Sequence, residues 1–192
     1  MPKPLLSLLA CSIAALALVA CGGDSESDEE QITSAITTAV ETTDPADCAT
    51  YSTQAFLEQS EGAQGKEALE SCEEDVKDTS DDPDSVTVTS VEVDGDAATA
   101  EVAFEGGGLD QQTVVVSLVD EDGWKLDSID SFATFNRDAF VASIEEGFEM
   151  AELSDEQMAC VSESLEAAGD QDLEEVVLSG SEDALIEIVS EC

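Results

Sequence analysis

Histidine is absent from all 192 residues, lysine and arginine together number five, and aromatic residues make up only 4% of the chain. Each shortage removes a class of function. Without histidine the usual general base at neutral pH is missing, and so is the nitrogen ligand of a mixed zinc site. No Cys-x-x-Cys or Gly-x-Ser-x-Gly occurs, which leaves the thiols and hydroxyls without an activating arrangement. Gly106-Gly107-Gly108 is followed by neither Lys-Ser/Thr nor a helical pattern, so it reads as a turn and not a phosphate loop. With so few cations, nucleic acid is excluded as a partner, because its affinity comes from basic side chains that displace counterions from phosphate. No catalytic residue, cofactor or metal is expected.

What the chain does have is acid. Asp and Glu number 47 and the formal charge is −42. The charge does not make it a disordered tract, since 42% of the residues are apolar and they recur with clear periods. Such a surface keeps a fold hydrated where salt screens its self-repulsion. An acidic salt-adaptive or cation-binding surface protein is therefore one reading. Asp81-Asp82-Pro83-Asp84 lacks the spacing, central Gly and terminal Glu of an EF-hand loop, so it reads as a solvated loop.

Residues 1–20 combine one positive charge, Lys3, with an apolar Leu- and Ala-rich core ending at small residues, the architecture of a secretory signal peptide. Leu18-Val19-Ala20-Cys21 at its end resembles the lipobox of a bacterial lipoprotein. The resemblance implies that Cys21 becomes the lipidated N-terminus, which holds the protein to the outer face of the cell membrane. Five basic residues less Lys3 against 47 acidic ones would give the mature chain a formal charge of −43. Residues 21–30 read as an acidic flexible tether. Cys11 leaves with the leader and Cys21 goes to lipid, so Cys48, Cys72, Cys160 and Cys192 remain. Three pairings are open to four cysteines. Local pairing, Cys48 with Cys72 and Cys160 with Cys192, is preferred because the two pairs flank a strand-rich region.

The fold expected for residues 31–131 is α+β. Ile32, Ala35, Ile36, Ala39 and Val40 mark an amphipathic helix that stops at Thr42 to Pro45. A second helix is expected within Asp47 to Leu57, and a third from Lys66 to Val76. From Val86 the period becomes two. Val86, Val88, Val91 and Val93 predict a strand with a slip near Thr89 and Ser90, and Asp94-Gly95-Asp96 predicts a hairpin. Ala98 to Phe104, Val114 to Leu118 and Trp124 to Ile129 complete a four-strand antiparallel meander with one face covered by the helices. A connection through Ser131 to Asn136 leads to residues 135–192, a small all-α module. There Ser154-Asp155-Glu156-Gln157 opens a helix as a capping box, and Gly169 and Gly180 are helix stops.

The order of a helical half carrying Cys, then Asp94-Gly95-Asp96-Ala97-Ala98-Thr99-Ala100, then Asp122-Gly123-Trp124-Lys125-Leu126, resembles the NTF2-like domains of exported actinobacterial lipoproteins. That resemblance implies a cone in which a curved sheet wraps helices around a pocket. It also implies binding of a small ligand or an envelope partner rather than catalysis. Three residues are candidates for the pocket. Asp127 is the carboxylate an enzyme of this fold would use in place of histidine, although alternation with Leu126 also reads as exposure. Tyr51 offers a phenol and Trp124 a stacking surface, although both also read as core. An enzyme with a buried carboxylate is the alternative to the binding reading.

Overall fold

Three alternating rows of small and branched residues, Ala98/Ala100/Val102, Val114/Val116/Leu118 and Trp124/Leu126, build the centre of the molecule. In the computed structural model, which describes residues 27–77, 82–150, 153–180, 182–190 and 192, they form the inner face of one antiparallel sheet. Its strands are β1 (Ser85–Asp94), β2 (Ala97–Glu105), β3 (Thr113–Asp120) and β4 (Trp124–Thr134), hydrogen-bonded in chain order. Gly95, with φ of 67°, supplies the left-handed backbone of the β1–β2 hairpin. Val88 faces Val102 and Ser90 faces Glu101, so Thr89 is the extra residue of a bulge, at the expected slip. The β4 strand runs past Ile129 to Thr134 because Ser131, Phe132 and Thr134 all find partners on β3. The expected connection from Ser131 is thus largely strand.

One helix fills the inner face. Helix α1 (Asp28–Glu41) buries Ile32, Ala35 and Ile36 against the sheet. Its start is set by a capping box, in which the Glu30 amide donates to the Ser27 hydroxyl at 3.3 Å and the Ser27 amide donates to the Glu30 carboxylate at 3.0 Å. Asp28, Glu29 and Glu30, expected at the end of the tether, are instead its first turn, where negative charge meets the positive end of the helix dipole.

The single helix expected between Asp47 and Leu57 is two, α2 (Ala46–Tyr51) and α3 (Gln54–Glu61). The chain breaks at Ser52 and Thr53 because the sheet recruits it. Buried Ser52 bridges Leu126 of β4 in parallel, and the Thr53 amide donates to the Leu126 carbonyl at 2.8 Å. Thr53 then caps α3, its hydroxyl accepting from the Phe56 amide at 3.2 Å. Gly62, in the left-handed region, ends α3, and α4 (Lys66–Asp75) follows. Four helices therefore precede the sheet where three were expected. Cys48 of α2 is bonded to Cys72 of α4, with Cα atoms 6.2 Å apart, in a small core shared with Leu57 and Ala68.

After the sheet come α5 (Arg137–Met150), α6 (Asp155–Ala167), α7 (Asp170–Leu178) and α8 (Glu182–Val189), packed around Phe140, Val161, Leu165 and Leu173. The capping box at Ser154 and Gln157 opens α6 as expected. Arg137 closes the other end. Its Nη2 donates to the carbonyls of Leu165, Glu166 and Ala168 at 2.9, 3.0 and 2.7 Å, while Nη1 pairs with Asp170 at 2.7 Å. Gly169 stands just past the end of α6, as expected of a helix stop, but without the left-handed backbone. Its backbone is extended and it stands at the start of α7, its amide donating to the Asp172 carboxylate at 3.2 Å. Gly180, with φ of 59°, does follow the end of α7. Cys160 and Cys192 are bonded, with Cα atoms 5.5 Å apart, so both bridges pair locally.

Two glutamines, half-buried Gln59 and buried Gln112, join this module to the sheet. Gln59 of α3 donates through Nε2 to the carbonyls of Ile129 at 2.9 Å and Leu178 at 2.8 Å, and its Oε1 accepts from the Ile129 amide at 2.7 Å. Gln112 ties the β2–β3 loop to the start of α5, donating to the carbonyls of Asp110 and Asn136 and accepting from the Asn136 amide. Gly180 backs directly onto Gln59, and a Cβ there would stand 2.3 Å from the Gln59 carbonyl oxygen. Gly180→Ala is therefore expected to lower stability by about 2 to 3 kcal/mol, from backbone clash and positive φ together. Gly147→Ala, with nothing within 4 Å in α5, is expected to be neutral or stabilising by ~0.5 to 1 kcal/mol. Urea denaturation of both variants checks the pair.

Candidate functional site

The inner face of the sheet, where a cone would hold its ligand, is occupied by side chains of its own chain. Ile32, Ala35 and Ile36 lie against it. Trp124 is 6% exposed and belongs to this packed core, and half-buried Tyr51 packs on its edge. Asp127 is elsewhere, on a surface groove of about 480 Å³ with Ala55, Glu58, Gln64 and Ser179. The structure thus brings Tyr51 and Trp124 into one core and sets Asp127 apart from them. Cys21 lies outside the described residues. Among the described residues no helix is long and apolar enough to cross a membrane, and no group of three or more acidic or cysteine side chains could hold a metal ion.

Two grooves lie where the helical module meets the sheet. The contact between Gln59 and Gly180 has a cleft on either side, and both clefts share Gln59, Gly62 and Gly180. The second, also about 480 Å³, is walled by Leu109 of the β2–β3 loop, Ile129 of β4, Val176 and Val177 of α7 and Leu185 of α8, with Glu61 at its edge. It is the apolar member of the two.

Glu61 is the chemically distinctive group of this region. It ends α3, half-buried, and its carboxyl is pushed up to about 7, first by burial and then by a hydrogen bond and like-charge repulsion from Asp75 of α4. Hydrogen bonds from Ser60 and Ser71 act the other way without cancelling the shift. Near neutral pH the Glu61 carboxyl is therefore protonated part of the time, and in that state it can donate a hydrogen bond. Nothing in the local sequence marks Glu61 among the 47 acids, because its partner is 14 residues away on another helix. The opposite case is Asp110 in the β2–β3 loop. Its carboxyl is held below the usual range by hydrogen bonds from the Gln111 side chain and the Gly106 amide, which fix the loop.

A third groove of about 480 Å³ lies within the helical module, between α6, α7 and α8. Its floor is Ala167, Ala168, Ala184 and Ile188, and Asp172, Glu175 and Glu187 stand along it.

The raised Glu61 sets the sign of a pH effect. In the unfolded chain the group titrates near 4.5 and in the fold near 7, so the fold binds the proton more tightly between those values. Its contribution to stability is greatest below the lower value, declines as pH rises through the window, and is lost above the higher one. Glu61→Gln, which stays neutral throughout, should match the wild type at pH ~4 and melt at a higher temperature than it at pH ~8. Calorimetric melts across that range test this, and a difference that does not change with pH would overturn the assignment.

Compared with protein-family models, characterised proteins and solved structures, the chain matches none.

Proposed function

We propose that the chain is a cell-envelope lipoprotein, anchored at the outer face of the membrane through lipid on Cys21, whose folded part binds a partner and does not transform a substrate. The observation that carries the binding mode is the filling of the sheet's inner face by α1, which leaves recognition to the surface grooves. The resemblance to NTF2-like domains belongs to the same proposal. A four-strand meander with a helix across its inner face is what that family would supply, here with the cone packed instead of hollow. Two disulfides fit an oxidising, extracytoplasmic setting. The acidic surface keeps the domain off anionic lipid and favours a cationic partner.

A second reading has an observation in its favour. The apolar cleft beside Glu61 offers branched aliphatic walls and one carboxyl protonated part of the time, the ingredients of a site for a small amphipathic ligand. Native mass spectrometry of the full-length protein separates the two. Partner binding predicts complexes of protein mass, whereas the cleft reading predicts a small-molecule adduct that Val177→Trp abolishes.

The anchor is tested by intact mass. Protein extracted from its own membrane is expected to begin at a lipid-modified Cys21 and to gain about 4 Da on reduction, as two disulfides require. Cys21→Ser is expected to move it to the soluble fraction. An uncleaved chain with free thiols would overturn the address.

A further inference from the structure

Each wall of the groove in the helical module presents side chains one helical turn apart. Helix α6 contributes Ser164 and Ala167, with Ala168 just past its end, α7 contributes Asp172 and Glu175, and α8 contributes Ala184, Glu187 and Ile188. Spacings of three and four place these residues on single helix faces, so the groove is a channel with alanines along its floor and carboxylates at its sides. Alanine at such positions lets another backbone approach closely, as ridges and grooves of packed helices require. The walls are held at fixed separation. The bond between Cys160 and Cys192 ties α6 to the residues after α8, and the Ser164 hydroxyl lies 3.4 Å from the Cys192 sulfur.

Among the described residues no cation neutralises this rim. Of the described cations, Arg137 is engaged by Asp170 and by the last carbonyls of α6, and Lys125 donates to the Ala49 carbonyl at 3.1 Å. Lys66 and Lys77 flank α4, in the other half of the molecule. None of the four lines the groove. Charge complementarity must come from outside.

We propose that the groove between α6, α7 and α8 receives a basic amphipathic helix of a partner protein, its apolar stripe on Ala167, Ala168, Ala184 and Ile188 and its lysines or arginines against Asp172, Glu175 and Glu187. The inference rests on the partner-binding reading above and supplies the partner's chemistry. A bare basic patch would satisfy the acids but not the floor. An apolar helix would satisfy the floor and leave the carboxylates desolvated and unpaired.

The test uses the full-length protein in zwitterionic detergent and a synthetic lysine–leucine amphipathic helical peptide, with binding read by fluorescence anisotropy. Against so acidic a protein the decisive comparison is between sites. Glu175→Gln with Glu187→Gln, and separately Ala184→Leu to fill the floor, should each weaken binding about tenfold or more. Glu92→Gln with Glu101→Gln, two exposed acids on the sheet, should change it less than about twofold. Circular dichroism melts identify any variant that has lost its fold, and the rim pair, being exposed, serves if the filled variant does. Equal weakening by the sheet pair would mean binding to a diffuse polyanion and would overturn the proposal, as would no binding at all. A cytoplasmic or unlipidated chain would sink the lipoprotein reading without touching this result, so the two failures are distinguishable.

Discussion

The side-chain amide of Gln59 holds the end of α7 in register with the sheet, as that of Gln112 does for the start of α5. Gln59 reaches from α3 to the middle of β4 and to the end of α7, completing three hydrogen bonds to main-chain groups that otherwise face each other across the junction. Buried main-chain groups left unmatched cost about 1 to 3 kcal/mol each, so an amide at that position favours the contact between helical module and sheet. Gly180 completes it by allowing the backbones to touch. The module, a small core of four fully buried side chains, thereby leans on a larger one.

Electrostatics contributes little to holding the fold. Among the described residues there is one ion pair, Arg137 with Asp170, at a largely exposed carboxylate, and such pairs are worth ~0 to 1 kcal/mol. Arg137 matters more for the three carbonyls it closes. The fold therefore rests on burial, main-chain hydrogen bonding and two covalent bridges, against an excess of like charge that salt screens. Acids are tolerated in such number because most stand at helix starts, in turns and on outward-facing strand positions, where water solvates them.

The parts of the fold that are legible in the sequence are those decided by neighbours along the chain. The valine alternation of β1 with its slip at Thr89, the Asp94-Gly95-Asp96 turn and the Ser154 capping box all depend on residues within a few positions. The break between α2 and α3 does not. Ser52 and Thr53 leave the helix because Leu126, more than 70 residues on, offers a carbonyl at the sheet's edge. The extension of β4 depends likewise on partners in β3. Of the candidate site residues, Tyr51 and Trp124 were readable as core, because aromatics beside apolar periods pack inward. Glu61 was not readable, since its character comes from burial beneath a distant segment and from Asp75 on another helix.

The two disulfides close consecutive loops that neither overlap nor nest, with partners 24 and 32 positions apart. Along the chain the next cysteine after Cys48 is its partner Cys72, and the next after Cys160 is its partner Cys192. Cys48 and Cys72 can join before any strand has appeared, and once joined neither competes for Cys160 or Cys192. Such an arrangement lets the order of arrival favour the native pairs.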